Sequence, residues 1–500
     1  MQTKKKSLSK TIGLLLSGAV ISQYGIAQAV ETAPSARGGL EEIIVTAQKR
    51  AQSINDVGMS INAFTGDTLA ERGITSMDGL EQIVPGFTTA ISSAGEPIYT
   101  LRGVGVDETT LAASPAVTVY VDEIPLPYTI MTAGTMFDLE RVEVLKGPQG
   151  TLFGQNSTGG AINYIANKPT GEFESGVDLS YERFGKNDVS GFVSGPLSDD
   201  VNARLALRTT QGGAWQQSTT RNDELGDKNM LMGRFLLEWE ASDKLMVNVN
   251  LNGFKDESDT IAGQLIGFEI NNPTAVLPEL LTQPFVDDDA RAADWSPDQP
   301  NRKDNRFLQA TVRLDYQLSD TMILTSQTSY SDMTIRSFVD TDATQFDILN
   351  SSITGDLEVF NQELRLAGDT DSFNWVAGVN YSHEESYDLY GFSISQNSLG
   401  VVPGLEFLPR LIDTDGSVEK EVDSYGVFGN IEYAVTENLK VQAGVRYTDT
   451  RQDAQNCSQG GDEGAALFNV LQSLGSPNPV ALVAGDCYPM DATFTSIKDP

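Results

Sequence analysis

Residues 147–160 bring together Gly147, Pro148, Gly150, Gly154, Gly159 and Gly160, directly after the alternating stretch Arg141-Val142-Glu143-Val144-Leu145-Lys146. A glycine-rich turn after a strand is one way to cradle phosphate with backbone N–H groups. The Lys-Ser/Thr pair that would reach phosphate and metal does not follow the last glycine, so nucleotide chemistry is not expected. The other reactive residue types are sparse. Two cysteines, Cys457 and Cys487, and one histidine, His383, leave little for a thiolate or imidazole metal site. No Ser/His/Asp grouping can be assembled around His383. The acidic runs Asp287-Asp288-Asp289 and Asp340 to Asp347 lack the one-three-five spacing and closing Glu of a calcium loop, and are expected as solvated loop carboxylates. Asn156-Ser157-Thr158 is expected as turn residues.

One short stretch carries chemistry of another kind. Ile43-Ile44-Val45-Thr46-Ala47 is a β-branched run between charged residues, behind the Pro/Ser/Gly segment Thr32 to Gly39. A mobile strand-forming segment of this type can add itself to the sheet edge of another protein. In isolation it would equally serve as an edge strand; its place between a linker and the first globular pattern favours the partner-binding use.

The elements around these residues begin with an export signal. Lys4, Lys5, Lys6 and Lys10 precede the apolar run Ile12 to Ile21, and Ala27-Gln28-Ala29 is a small-x-small cleavage site, so residues 1–29 are expected to be removed. With 34 basic and 69 acidic residues the formal net charge is −35, which excludes nucleic acid as a partner. Beyond residue 29 no run approaches the ~18 apolar residues of a spanning helix. A membrane protein of this sequence must therefore cross as a closed barrel.

Residues 52–169 read as a small α/β unit. Strands are expected at Met59–Phe64, Ile98–Gly105, Val117–Asp122, Arg141–Lys146 and Ala161–Ile165, and helices at Thr65–Arg72 and Ser76–Ile83. From residue 170 the pattern becomes strict alternation. Leu439, Val441, Ala443, Val445 and Tyr447 oppose Lys440, Gln442 and Arg446; Leu308, Ala310, Val312, Leu314 and Tyr316 oppose Gln309, Thr311, Arg313 and Asp315. Soluble sandwiches also alternate, so the connections decide. About eleven strands are separated by gaps that are short near 198–200, 241–244, 319–321, 368–372 and 436–438. The gaps are long at 212–228, 258–304, 338–357, 390–420 and 453–490, and only the first outer connection, near 184–188, breaks the rule. Short turns on one side and long loops on the other are the signature of an outer-membrane barrel. Cys457 and Cys487 then share one outer loop in an oxidising compartment, where a disulfide is expected.

Three ordered segments carry a family resemblance: EEIIVTAQKR at 41–50, YTLRGVG at 99–105 and ERVEVLKGPQGTLFGQNSTGGAINYIANKP at 140–169. They resemble the TonB box, the middle of the plug and the end of the plug in TonB-dependent outer-membrane receptors. The resemblance implies an antiparallel membrane β-barrel of 22 strands, about half of them present in residues 170–500, with an N-terminal α/β plug domain (52–169) inside its lumen. It implies that Glu42, Ile43, Ile44, Val45, Thr46 and Ala47, within the 30–51 linker and box, bind the TonB energy-transducing complex in the periplasm. It also implies that the plug residues Arg102 and Lys146 meet barrel carboxylates. No separate signalling domain fits between signal and box. The implied partners are outer-membrane lipid and a small-molecule ligand; the implied activity is uptake, not enzymatic, without a resident cofactor. An iron-siderophore complex is the leading ligand, with cobalamin, haem or an oligosaccharide as alternatives, and a passive porin or adhesin is the rival from another class. The chain stops at Lys498-Asp499-Pro500 without a final apolar strand ending in an aromatic, so it is expected to be C-terminally truncated.

Overall fold

A computed structural model describes residues 43–92, 97–107, 111, 114–269, 279–286, 289–370, 372–394, 413–436, 439–475 and 481–487. The signal peptide, the linker, Glu42, Asp287 and Asp288 lie outside these residues. The chain opens on two short paired strands, β1 (Ile44–Val45) and β2 (Gln52–Ser53). β3 (Ile61–Thr65) leads into helix α1 (Gly66–Glu71), whose N-terminus is capped by the Thr65 hydroxyl accepting from the Thr68 N–H. The expected second helix is a 3-10 turn at Met77–Gln82. β4 (Phe87–Ile91) pairs only with β5 (Pro97–Leu101). β6 (Val117–Val121), β7 (Ile124–Leu126), β8 (Leu139–Lys146), the single turn α2 (Gly150–Phe153) and β9 (Gly160–Ala166) complete the unit. Its sheet runs β3-β8-β9-β6-β7, antiparallel except for the parallel β6–β9 pair.

The glycines of the 147–160 stretch serve backbone geometry. Gly147 and Gly154 sit at φ +92° and +86°, a region that disfavours side chains. At Gly160 an added Cβ would meet the Leu145 carbonyl oxygen at 2.3 Å. The four-residue α2 is closed by the Tyr120 hydroxyl donating to the Phe153 carbonyl, 2.9 Å, and Asn156 turns at φ +62°.

The second sheet has eleven antiparallel strands in meander order. They are β10 (Glu174–Tyr181), β11 (Asn187–Ser198), β12 (Val201–Gly212), β15 (Lys228–Ser242), β16 (Leu245–Asp256), β18 (Asn305–Ser319), β19 (Met322–Asp340), β20 (Asn350–Asp369), β21 (Phe373–Ser393), β22 (Asp413–Thr436) and β23 (Leu439–Gly460). Two outer connections build a small sheet of their own from β13 (Gln216–Ser218), β14 (Glu224–Leu225) and β17 (Ala292–Ala293). Register shifts at Pro196/Ser198, Glu240/Ser242, Gln317/Ser319 and Ala434/Thr436 all fall beside the short turns, where a bulge tightens the reversal.

The polarity of this sheet is inverted. Leu308, Val312, Leu364, Val379, Val427, Ile431 and Val445 are exposed, whereas Arg204, Arg234, Asn250, Gln309, Gln327, Ser329, Ser331 and Arg365 are buried. Such an order suits a wall with lipid outside and a filled polar lumen inside. Aromatic side chains bracket the apolar face: Tyr330, Phe360, Tyr381 and Tyr425 toward the long loops, Trp239, Tyr316, Phe373 and Tyr433 toward the short turns. Tyr381 and Tyr425 stack at 4.8 Å. On β22 the step from Tyr425 to Tyr433 is roughly 27 Å along the strand, close to the ~25 Å apolar band of such barrels.

Several expected loops are strand. β19 to β22 carry 19, 20, 21 and 24 residues, against the 9–11 that cross a bilayer. The extra length stands on the long-loop side, where the outer face turns polar and the inner face buries apolar residues, Met333, Ile335, Ile353 and Leu357 among them. The 338–357 gap narrows to 341–349, and the 453–490 gap holds the end of β23 and a helix, α3 (Asp462–Gly475). Cys457, near the end of β23, is joined to Cys487 at 2.02 Å. Asp342 is not a solvated carboxylate: it accepts from the N–H groups of Thr344, Ile348 and Leu349 at 2.8 to 3.1 Å and organises the 341–349 turn.

The inverted polarity predicts the outcome of one substitution. Leu364→Arg, in the middle of the apolar band, should destabilise the barrel by about 2–4 kcal/mol in denaturant titrations in bilayers. An arginine tolerated there without loss would contradict the membrane placement of this face.

Candidate functional site

Residues 43–50 fold back onto the plug at the short-turn mouth of the barrel. β1 pairs through Ile44↔Ser53 and Val45↔Gln52, and the Ile54 N–H donates to the Ile43 carbonyl at 2.9 Å. Val45 and Ala47 are fully buried against Val57, Ala63, Leu145, Leu152 and Ala161, while Ile44 is 44% exposed. Burying the Val45 side chain contributes about 1.5–3 kcal/mol. The free, mobile strand expected from sequence is therefore corrected to a docked one. Thr46 makes the docking specific. Its N–H donates to Glu143 Oε1 at 2.8 Å, its hydroxyl lies 3.2 Å from the same oxygen, and Asn163 Nδ2 donates to that hydroxyl at 3.4 Å. Glu143 has no solvent exposure and is held by Arg141 Nε at 2.8 Å. Burial raises its carboxyl above the usual carboxylate range, and Arg141 and the Thr46 N–H oppose that rise.

Lys49 follows at φ +57°, its N–H closing a turn on the Thr46 carbonyl. Its ammonium meets Glu363 of β20 at 2.6 Å and lies 5.8 and 5.7 Å from the Phe153 and Phe428 ring centroids. Arg50 comes within 3.8 Å of Glu432, and Lys440 spans Glu432 and Asp56 at 3.6 and 4.0 Å. Glu432 and Lys440 lie beside the paired ends of β22 and β23, Thr436↔Leu439, which places this segment at the short-turn end.

Higher on the seam the plug offers carboxylates and the barrel wall offers arginines. The β6–β7 turn places Asp122 and Glu123 at φ +48° and +70°, the conformation of a two-residue hairpin. Glu123 pairs with Arg365 at 2.5 Å and Arg313 at 3.7 Å, an ion pair rather than a well-angled hydrogen bond at Oε2. Its N–H donates to Asn163 Oδ1 at 3.1 Å. Burial alone would raise the Glu123 carboxyl; Arg365, then Arg313 and Lys49, outweigh it and hold it at about 2. Asp122 accepts from the Ala166 N–H and from Asn250 of β16, and burial raises its carboxyl despite Arg234. Asp138 takes Arg204 Nε at 2.9 Å, and the fully buried Arg234 donates to the Phe137 carbonyl at 2.8 Å.

Arg102 and Lys146 do not join this seam. Arg102 donates to Ser60 Oγ at 2.7 Å and Lys146 to the Pro85 carbonyl at 2.9 Å. Burial, then the neighbouring Arg102, lowers the Lys146 pKa. Among the described residues neither cation reaches a carboxylate. The plug–barrel ion pairs that form among the described residues are instead mostly of opposite polarity, with Lys49–Glu363 and Arg50–Glu432 the exceptions. Sequence reasoning missed Lys49, Glu123, Glu143, Asn163 and Arg365. Charged residues inside the alternating Arg141–Lys146 strand were the available signal, since a plug in a polar lumen can bury them on either face.

Residues 53–161 match the TonB-dependent Receptor Plug Domain and residues 248–475 the TonB dependent receptor-like beta-barrel, so both units of the fold fall within one family. The chain belongs to the TonB-dependent receptors. The Pesticin receptor of Yersinia pestis is 30% identical over 226 residues, 43% of this chain and 32% of the relative. The Iron-regulated outer membrane virulence protein of Vibrio cholerae is 29% identical over 224 residues, 41% of this chain and 31% of the relative. The crystal structure of the ferric yersiniabactin uptake receptor from Yersinia pestis superposes with a TM-score of 0.65 at 18% identity, covering 80% of this chain and 58% of that one. The ferripyoverdine receptor of Pseudomonas aeruginosa, bound to ferripyoverdine, gives 0.62 at 16% identity, with 84% and 56% covered. The chain thus spans about a third of the length of these curated relatives and under two thirds of the solved chains. In this TonB-dependent receptor the plug–barrel seam is built from the pairs above.

The Glu123 contact has a defined pH window. A carboxyl held at about 2, against an ordinary 4.5, contributes stability that is complete above pH 4.5 and is lost as pH falls toward 2. Glu123→Gln should destabilise the plug-loaded barrel by about 3 kcal/mol at neutral pH, because Arg365 keeps only Glu363. The difference between parent and variant melting should shrink between pH 4.5 and 2; a difference independent of pH would remove the ion pair from the account.

Proposed function

We propose that this receptor carries a scarce ligand, a ferric siderophore, across the bacterial outer membrane, with TonB in the periplasm supplying the work. The observation that carries the reading is the placement of residues 43–47. They precede the plug sheet and lie at the short-turn mouth, paired to Gln52–Ser53 and to Glu143. A strand held there by two backbone pairings and one carboxylate can be transferred to the sheet edge of a periplasmic partner. The plug fills the lumen behind it, as a passive porin would not require. Barrel extensions, the β13–β14–β17 sheet and the disulfide-linked end of β23 stand on the opposite side, where ligand arrives. The names of the relatives support iron-siderophore cargo; cobalamin, haem and oligosaccharides are the alternatives the test must separate.

Proline at Ile44 or Val45 removes a ladder donor and fixes the backbone angle. In the receptor expressed from the complete gene, uptake of a labelled ferric siderophore should fall to the level of cells without TonB, while binding at the cell surface persists. Uptake at the parental rate would sink the assignment of Glu42 to Ala47 as the TonB-binding segment.

A further inference from the structure

We propose that Glu143 and Asn163 form a latch for Thr46, which keeps residues 43–47 closed against the plug and ties that closure to the Asp122–Glu123 turn at the barrel wall. The inference rests on the reading of residues 43–47 as the TonB-binding segment and adds what holds that segment back. Glu143 on β8 and Asn163 on β9 are direct cross-strand partners, and both are fully buried. Their side chains converge on one residue. Glu143 accepts the Thr46 N–H at 2.8 Å and lies 3.2 Å from its hydroxyl, which in turn accepts from Asn163 at 3.4 Å.

A polar pair in the middle of a sheet is costly unless its groups are satisfied, and an apolar pair of similar shape would serve packing as well. Here Thr46 supplies the missing partners. The groups it uses are those a strand must offer to a new sheet edge: the Thr46 N–H is occupied by Glu143, and Ile44 and Val45 already face Ser53 and Gln52. Closure and partner addition therefore exclude each other. Asn163 extends the latch outward, because its Oδ1 accepts the Glu123 N–H at 3.1 Å and Glu123 is clamped by Arg365 of the wall at 2.5 Å. Displacing the Asp122–Glu123 turn from the wall pulls on the residue that holds the Thr46 hydroxyl. Glu143 and Asn163 are positioning residues: they act through Thr46 rather than on cargo.

The test uses the whole receptor in bilayers, with a nitroxide attached through Ile44→Cys, the exposed position of β1, and no TonB present. In the parent the label should be largely immobile. Glu143→Gln and Thr46→Val should each raise the mobile fraction about tenfold, equivalent to about 1.4 kcal/mol, and Asn163→Ala by a smaller factor. The Glu143→Gln/Thr46→Val double variant should release no more than the stronger single variant, since both act on the hydroxyl–carboxylate contact while the Thr46 N–H keeps an acceptor at position 143 in each. Thr46→Val keeps size and branching, so it reads the latch even if Glu143→Gln misfolds. An immobile label in Thr46→Val, or a double variant whose effects multiply, would overturn the latch. Adding the periplasmic domain of TonB separates the two claims: about tenfold tighter binding to the released variants supports both. Release without tighter binding leaves the latch standing and removes the TonB reading beneath it.

Discussion

Lipid around the outer face of the β10–β23 sheet sets the terms for everything inside it. Backbone groups in hydrocarbon must be paired within the wall, and side chains facing lipid must be apolar. Polar side chains are thereby turned inward, where Arg204, Arg234, Asn250, Gln309, Gln327 and Arg365 are buried. The plug meets this wall in two ways. An apolar cluster joins Ile130, Met131 and Phe137 of the plug to Phe254, Phe307 and Met333 of the wall, and carboxylates and backbone carbonyls take the buried arginines. Such pairs add little over well-packed apolar contacts, but breaking one side of them costs about 3–5 kcal/mol. They specify one seating of the plug while leaving contacts that can be exchanged group for group.

The same constraint explains why residues 43–50 are docked. At the short-turn mouth this segment supplies a second cation, Lys49, to Glu363, which Arg365 also pairs, and a hydroxyl and an N–H to Glu143. Glu363 belongs to the barrel wall and Glu143 to the plug sheet. Removing the segment leaves both without those partners, so its release has a free-energy cost. Residues 43–50 are thereby connected to the wall at Arg365 through Glu363.

The spanning half of the barrel was legible in the sequence because lipid enforces alternation there. Leu308, Val312, Leu314 and Tyr316 are as exposed as their spacing implied while Gln309 and Thr311 are buried, and the strand ends near 199, 243 and 320 lie where short turns were expected. The outer halves were not legible. Around His383-Glu384-Glu385-Ser386 water bathes the outside, both faces accept polar residues, and the pattern reads as loop although β21 continues to Ser393. The plug strands were found by alternation, but not the role of their buried charges: Glu143, inside the alternating Arg141–Lys146 strand, is the anchor of Thr46. Arg102 and Lys146 were identified by position in motifs, which carry no information about where a long flexible cation turns. The β-branched run at Ile43 to Ala47 was visible from composition alone; its docking depends on side chains about a hundred residues away.

Transport itself is the central claim, and growth under iron limitation reads it most directly. A strain lacking the complete gene should be supplied with single ferric siderophores, haem or inorganic iron as sole iron source. The account predicts that the strain fails on at least one ferric siderophore, that the gene restores growth, and that restoration disappears without TonB. Growth equal to the parent on every ferric siderophore, or restoration that persists without TonB, would contradict it.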